Sequence, residues 1–154
     1  MGGEVKVRGE ILATGALNSS GCLDPIADST GWASTGDLGI LNENNELILL
    51  GRRDRMIISG GENISLAEVE RIVSTTFSGI DCAAFAVPDS QWGQSLQLAI
   101  AGDVKPEQSA INEYLSSQIS KAAKVKNFLY VSQLPRTALG KIDRRKLAEL
   151  AAEA

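Results

Sequence analysis

Residues 51–70 constrain this 154-residue chain more than any other stretch: Gly-Arg-Arg-Asp-Arg-Met-Ile-Ile-Ser-Gly-Gly-Glu-Asn-Ile-Ser-Leu-Ala-Glu-Val-Glu. A glycine and four charged residues open it. Met56-Ile57-Ile58 is short and β-branched, as a buried strand would be. Ser59-Gly60-Gly61 breaks that run, because adjacent glycines permit positive φ and leave backbone bare for a ligand. Ser65-Leu66-Ala67-Glu68 is a Ser-x-x-Glu capping box that starts a helix. The stretch predicts a charged turn, a strand, a glycine elbow and a capped helix. A phosphate cradle is disfavoured, since neither the P-loop nor the dinucleotide glycine spacing is present. The glycines alone read as a tight turn.

The pattern differs on either side of this stretch. Before it come strands without a covering helix. Glu4-Val-Lys-Val-Arg-Gly9 alternates, 11–17 is a second strand, and 18–31 is a Ser/Gly/Asp/Pro-rich loop. Apolar runs 37–41 and 46–50 flank Asn42-Glu43-Asn44-Asn45, a hairpin turn. So few strands offer little core and an open edge. From Arg55 onward helix and strand mix. Helix 65–77 carries Leu66, Val69, Ile72, Val73 and Phe77 on one face. Strand 80–87 ends at Pro88-Asp89, and Trp92-Gly93-Gln94 forms a hairpin tip before strand 96–101. Pro106 opens a helix with Ile111, Leu115 and Ile119 in a stripe. Strand 128–131 and helix 142–152, with Leu147 and Leu150, complete an α+β unit of about 100 residues, large enough to fold alone.

Composition narrows the chemistry. There is no histidine, which removes His-dependent triads and the commonest zinc ligand. No metal site is expected. Cys22 and Cys82 have no metal-like spacing and should stay reduced, with Cys82 in a buried strand. No apolar run approaches the roughly 20 residues that span a bilayer, and no signal core opens the chain, so a cytoplasmic protein is expected. Residues 121–146 hold eight basic residues and one acid, against a net charge of −4 for the whole chain. That end either faces an anion or is a solvated face. Nucleic acid is not expected, because no recognition signature accompanies the charge.

Three side chains stand out. Asp37, in Thr35-Gly36-Asp37, is a carboxylate that could accept from a vicinal diol, or could cap a turn. Arg52 offers a planar fork for phosphate or ribose oxygens, or is a surface arginine in a charged linker. Lys141 follows Gly140 in the loop 134–141, where on charge alone it is one more lysine of a basic tail.

Three stretches, in order, resemble motifs of the adenylate-forming superfamily, the acyl-CoA synthetases and their relatives. They are Gly31-Trp-Ala-Ser-Thr-Gly-Asp-Leu-Gly39, residues 51–70, and Pro135-Arg-Thr-Ala-Leu-Gly-Lys-Ile142. Residues 59–64, Ser-Gly-Gly-Glu-Asn-Ile, are most similar to the o-succinylbenzoate–CoA ligases of menaquinone synthesis. The resemblance implies that residues 1–50 are the last β-strands of a large N-terminal AMP-binding domain. It implies a hinge at 51–54 and a mobile lid domain with mixed sheets and three helices at 55–154. The phosphate loop and acyl pocket of that family are not in this sequence, so we expect a C-terminal part of a longer enzyme, inactive alone and partnered by its N-terminal domain. The implied reaction joins a small carboxylic acid to CoA through an acyl-adenylate, using ATP and Mg2+. Asp37 then binds ribose and Arg52 the nucleotide, Asp54 is the hinge, Gly60 and Gly61 line the pantetheine tunnel, and Lys141 serves adenylation. Asn63 departs from relatives with arginine there, and neither its role nor that of Trp92 can be assigned. A different acyl-CoA synthetase, an enzyme that loads a carrier protein, or a stand-alone binding domain are the alternatives.

Overall fold

The computed structural model describes residues 2–102 and 105–153. The chain divides into two compact units, Met1–Asp54 and Arg55–Ala154.

The first unit is all β. Strand β1 (Gly3–Val7) pairs antiparallel with β4 (Ala33–Leu41), and β4 with β5 (Leu47–Arg52), giving the order β1-β4-β5. The β4–β5 turn is the expected Asn42–Asn45 segment. Asn42 Oδ1 accepts from the backbone N–H of Asn44 and Glu46, an Asx arrangement that closes the hairpin, and Asn45 takes a φ of 60°. The second strand expected over 11–17 shrinks to β2 (Gly15–Leu17). It pairs with β3 (Leu23–Pro25), which lies inside the segment read as loop. Asn18 holds that turn by accepting from the N–H groups of Ser20 and Cys22. On β5, Leu47, Ile48, Leu49 and Leu50 are all exposed, so both faces of this strand carry apolar side chains to solvent.

The second unit is α+β. Its middle strand is β9 (Gly93–Ala101). β8 (Asp81–Asp89) pairs along one edge of β9, and β10 (Asn127–Val131) pairs parallel along the C-terminal half of the other. At the N-terminal end of that second edge, Gly93 pairs with Ser59 of β6 (Met56–Ser59), which continues the sheet to β7 (Glu62–Ser65). β9 is buried from Ser95 to Ala101, because both faces are covered. Leu96, Leu98 and Ile100 meet α1 (Leu66–Thr76) and α2 (Gln108–Gln118) on one face. Ala99 and Ala101 meet Leu147 of α3 (Arg144–Glu153) on the other, beside Phe85 of β8.

Several sequence expectations need correction. Gly60 and Gly61 do not form an elbow into a helix. They turn a β6–β7 hairpin with φ of 59° and 83°, the doubly left-handed pair that two-residue hairpins favour. Residues 62–65 are a strand, and the helix starts only at Leu66. The Ser65 cap holds: its hydroxyl accepts from the Glu68 N–H at 3.2 Å. β8 runs through Pro88 to Asp89 instead of ending there. Proline is tolerated because β8 pairs on one side only. α2 begins at Gln108, two residues beyond Pro106.

Candidate functional site

In the first unit the strand register brings Asp37 opposite Arg52 across β4 and β5. The register shifts beside this pair, between Leu38 and Gly39, a bulge that locally re-aims the strands. Arg52 is held from several sides. Its Nη1 donates to the Thr35 carbonyl at 3.0 Å and lies 3.6 Å from Asp37 Oδ1, while Nε donates to Asp54 Oδ1 at 3.2 Å. The hydrogen bond that Arg52 donates to Asp54, the charge of Asp54, and the charge of Asp37 together raise the Arg52 pKa above its ordinary value. The guanidinium lies over Gly36, where an added Cβ would approach Nη2 to 3.2 Å. Gly36 also has φ of 73°, a left-handed conformation that disfavours any residue with a side chain there. Thr35 Oγ1 accepts from the Asp37 N–H at 3.0 Å, which orders the backbone carrying the carboxylate. The result is a half-exposed carboxylate acceptor beside a pre-oriented guanidinium donor. Asp54 lies in a single 3-10 turn, Arg53–Arg55.

In the second unit, Gly60 packs under Trp92. A Cβ on Gly60 would lie 2.6 Å from Trp92 Cε3, and the Gly60 N–H donates to the Trp92 carbonyl at 3.2 Å. Gly61 faces open space. Asp89 fixes the loop that carries Trp92: its Oδ1 accepts from the N–H groups of Gln91 and Trp92, and its Oδ2 pairs with Lys126 Nζ at 2.5 Å. The lysine hydrogen bond, then the two backbone donors, hold the Asp89 pKa down at about 2. Between this loop and the segment before β10 lies a cleft of about 400 Å³. Ser59, Trp92 and Leu96 line it together with Lys121, Lys124 and Lys126. The sequence reading left Trp92 unassigned and took these lysines as part of a basic segment that either faces an anion or is a solvated face. The signal available was the Trp-Gly pair directly after a Pro-Asp turn.

Lys141 is not in an open loop. Arg136 and Ile142 form a β-bridge, the Thr137 N–H donates to the Lys141 carbonyl, the Gly140 N–H donates to the Thr137 carbonyl, and Arg136 Nη1 donates to the Gly140 carbonyl. Lys141 is an exposed residue of a closed hairpin. This hairpin follows β10, whose last residue Val131 pairs with Ala101. The glycine turn adjoins Gly93 at the other end of β9. At about 3.3 Å per residue those two ends are about 26 Å apart. Asp37 and Arg52 belong to the first unit, Gly60, Gly61 and Lys141 to the second.

Residues 68–141 match the family described as AMP-binding enzyme C-terminal domain. These residues belong to that family. Beyond the matched segment, the chain is 33% identical over 146 residues to the 2-succinylbenzoate–CoA ligase of Bacillus licheniformis, covering 94% of this chain and 30% of the ligase. It is 31% identical over 153 residues to 2-methylpropanoate–CoA ligase CCL4 of Humulus lupulus, covering 97% of this chain and 28% of that protein. Among solved structures, the o-succinylbenzoate CoA synthetase of Bacillus subtilis, bound to its acyl-adenylate intermediate, superimposes with a TM-score of 0.78 at 27% identity, over 96% of this chain and 30% of that one. The chain therefore spans about a third of the length of the relatives it matches. The chain resembles the C-terminal portion of 2-succinylbenzoate–CoA ligases and of other adenylate-forming enzymes. The mixed α+β architecture with three helices is the one these AMP-binding enzymes share. Among the described residues no helix is long and apolar enough to cross a membrane, and no group of three or more His, Cys, Asp or Glu could hold a metal ion.

Proposed function

We propose that this chain is the C-terminal part of an acid–CoA ligase. A carboxylic acid attacks the α-phosphorus of ATP, pyrophosphate leaves, and the acyl group then passes from AMP to the thiol of CoA. The observation that carries the reading is the Asp37–Arg52 juxtaposition. A carboxylate there accepts from both hydroxyls of a ribose, and the adjacent guanidinium donates to nucleotide oxygens. Asp54, hydrogen-bonded to Arg52, is the hinge residue between residues 1–50, the end of an AMP-binding domain, and the lid at 55–154. Lys141 brings a cation to the carboxylate and α-phosphate, where negative charge grows in the transition state. Mg2+ accompanies the ATP phosphates, and we assign it no ligand among these residues.

Gly60 and Gly61 line the path of the thiol arm in the second half-reaction. The cleft beside them supports CoA over a carrier protein as acceptor. Three lysines suit a ligand with several phosphates, as CoA has, more than the single phosphate of a carrier's prosthetic arm. We assign o-succinylbenzoate as the acid on the strength of the relatives' names. The test is AMP release by the enzyme that carries this chain, with ATP, o-succinylbenzoate and either CoA or a holo-carrier protein. Turnover with CoA supports the reading. Turnover with the carrier alone would replace the acceptor, and turnover only with another acid would replace the substrate.

A further inference from the structure

Lys141 depends on its backbone for placement, because its ammonium makes no hydrogen bond or ion pair among the described residues. We infer that Glu70 and Arg144 form a positioning pair that sets where Lys141 reaches. The inference rests on the assignment of Lys141 to acyl-adenylate formation.

The geometry runs from β8 to the hairpin. Ala84 stands opposite Leu98 on β9, but its N–H and carbonyl bond side chains on the other edge of β8, which pairs with no strand among the described residues. Both are taken up by one ion pair. Glu70 Oε1, from α1, accepts from the Ala84 N–H at 2.9 Å and from Arg144 Nη2 at 2.5 Å. Arg144 Nε donates to the Ala84 carbonyl at 3.0 Å. Both side chains are about four-fifths buried. The pair therefore locks the first residue of α3 to the sheet and to α1. Next to it Asp143 caps α3, its Oδ1 accepting from the Lys146 N–H, while its own N–H donates to the Pro135 carbonyl at the base of the hairpin. Ile142 closes the hairpin against Arg136, and Lys141 is the residue immediately before it. Every link from Ala84 to Lys141 is a short hydrogen bond or one covalent step. A pair serving only to blunt a sheet edge would have no reason to affect one half-reaction more than the other.

Displacing a catalytic group by about 1 Å costs on the order of 100-fold in rate. Arg144→Ala should therefore slow acyl-adenylate formation by roughly 10- to 100-fold. Thioester formation from supplied acyl-adenylate and CoA should stay within about threefold, since the glycine turn is anchored at the opposite end of β9. Arg144→Lys keeps the charge but replaces the planar fork, whose Nε and Nη2 reach the Ala84 carbonyl and Glu70 separately, with a single ammonium, so its loss should be intermediate. Glu70→Gln keeps an acceptor for the Ala84 N–H and guards against a variant that fails to fold. It should also slow adenylation selectively. The measurement is both half-reactions for each variant in the enzyme carrying this chain, alongside Lys141→Ala. Equal losses in both half-reactions would overturn the inference, and so would no loss in either while Lys141→Ala remains selective. If Lys141→Ala itself leaves adenylation intact, the role of the lysine falls and the inference with it.

Discussion

Trp92 occupies the volume that any side chain at Gly60 would need. A Cβ there would sit 2.6 Å from Cε3 and 2.7 Å from Cζ3 of the indole, whereas Gly61 meets nothing within 4 Å. The two glycines of one turn thus carry different constraints. Within the fold of the turn, Gly61 supplies conformation and meets no neighbour. Gly60 supplies conformation and a seat for Trp92.

The two alanine variants should separate these constraints. A left-handed alanine costs roughly 1–2 kcal/mol, which both variants incur. Gly60→Ala adds an overpacking cost of about 1–3 kcal/mol unless the indole swings out. Denaturant unfolding should rank Gly60→Ala as the less stable. In a Trp32→Phe background, Trp92 emission should shift to the red in Gly60→Ala and stay in place in Gly61→Ala. Equal stability with no spectral shift would show that the indole contact is not held in solution.

Asp89 gives a pH prediction with a defined sign. Its folded pKa, about 2, lies below the ordinary carboxylate value. A depressed carboxylate stabilises the fold above its unfolded pKa and loses that contribution as pH falls toward the folded one. The stability difference between the parent protein and Asp89→Asn should be largest at neutral pH. It should shrink between about pH 4 and 2 and vanish below. A difference that is flat across this window would place the Asp89–Lys126 contact outside the native state.

Cys82 should be inert. Burial, then Glu70, then Asp81 push its thiol up to about 12. At pH 8 roughly one part in 10⁴ is thiolate, the form that reacts. Cys22 is exposed. A thiol-directed label should modify Cys22 first and Cys82 only on unfolding, with mass spectrometry of peptides as the readout. Comparable labelling of both in the native protein would contradict the raised pKa and half-buried position of Cys82.

Much of this arrangement is written locally and was legible. The Asn42–Asn45 turn, the Ser65 cap and the Leu66/Val69/Ile72/Val73 face depend on residues within a few positions of each other. The β6–β7 hairpin was not legible in the same way. Two glycines before a capping box fit an elbow or a hairpin equally well, and only the pairing of Met56 with Ser65 separates them. Pro88 misled because a proline stops an interior strand but not a strand paired on one side. The Glu70–Arg144 pair joins residues 74 apart, and nothing near either residue announces the other. Lys141 was visible by its motif, but its closed hairpin depends on Arg136 and Pro135 reaching across the loop.

The proposed role of Lys141 is to stabilise acyl-adenylate formation while taking no part in thioester formation. The direct measurement is each half-reaction of Lys141→Ala, made in the enzyme that carries this chain. Lys146→Ala is the control, since Lys146 Nζ pairs with Glu149 at 3.4 Å on the surface of α3. Removing one well-placed transition-state donor costs on the order of 100- to 1,000-fold. Acyl-adenylate formation by Lys141→Ala should fall by at least that factor. Conversion of supplied acyl-adenylate and CoA to thioester should stay within about tenfold of the parent rate, under roughly 1.4 kcal/mol in barrier. Equal slowing of both steps, or of neither, would rule out this role for Lys141.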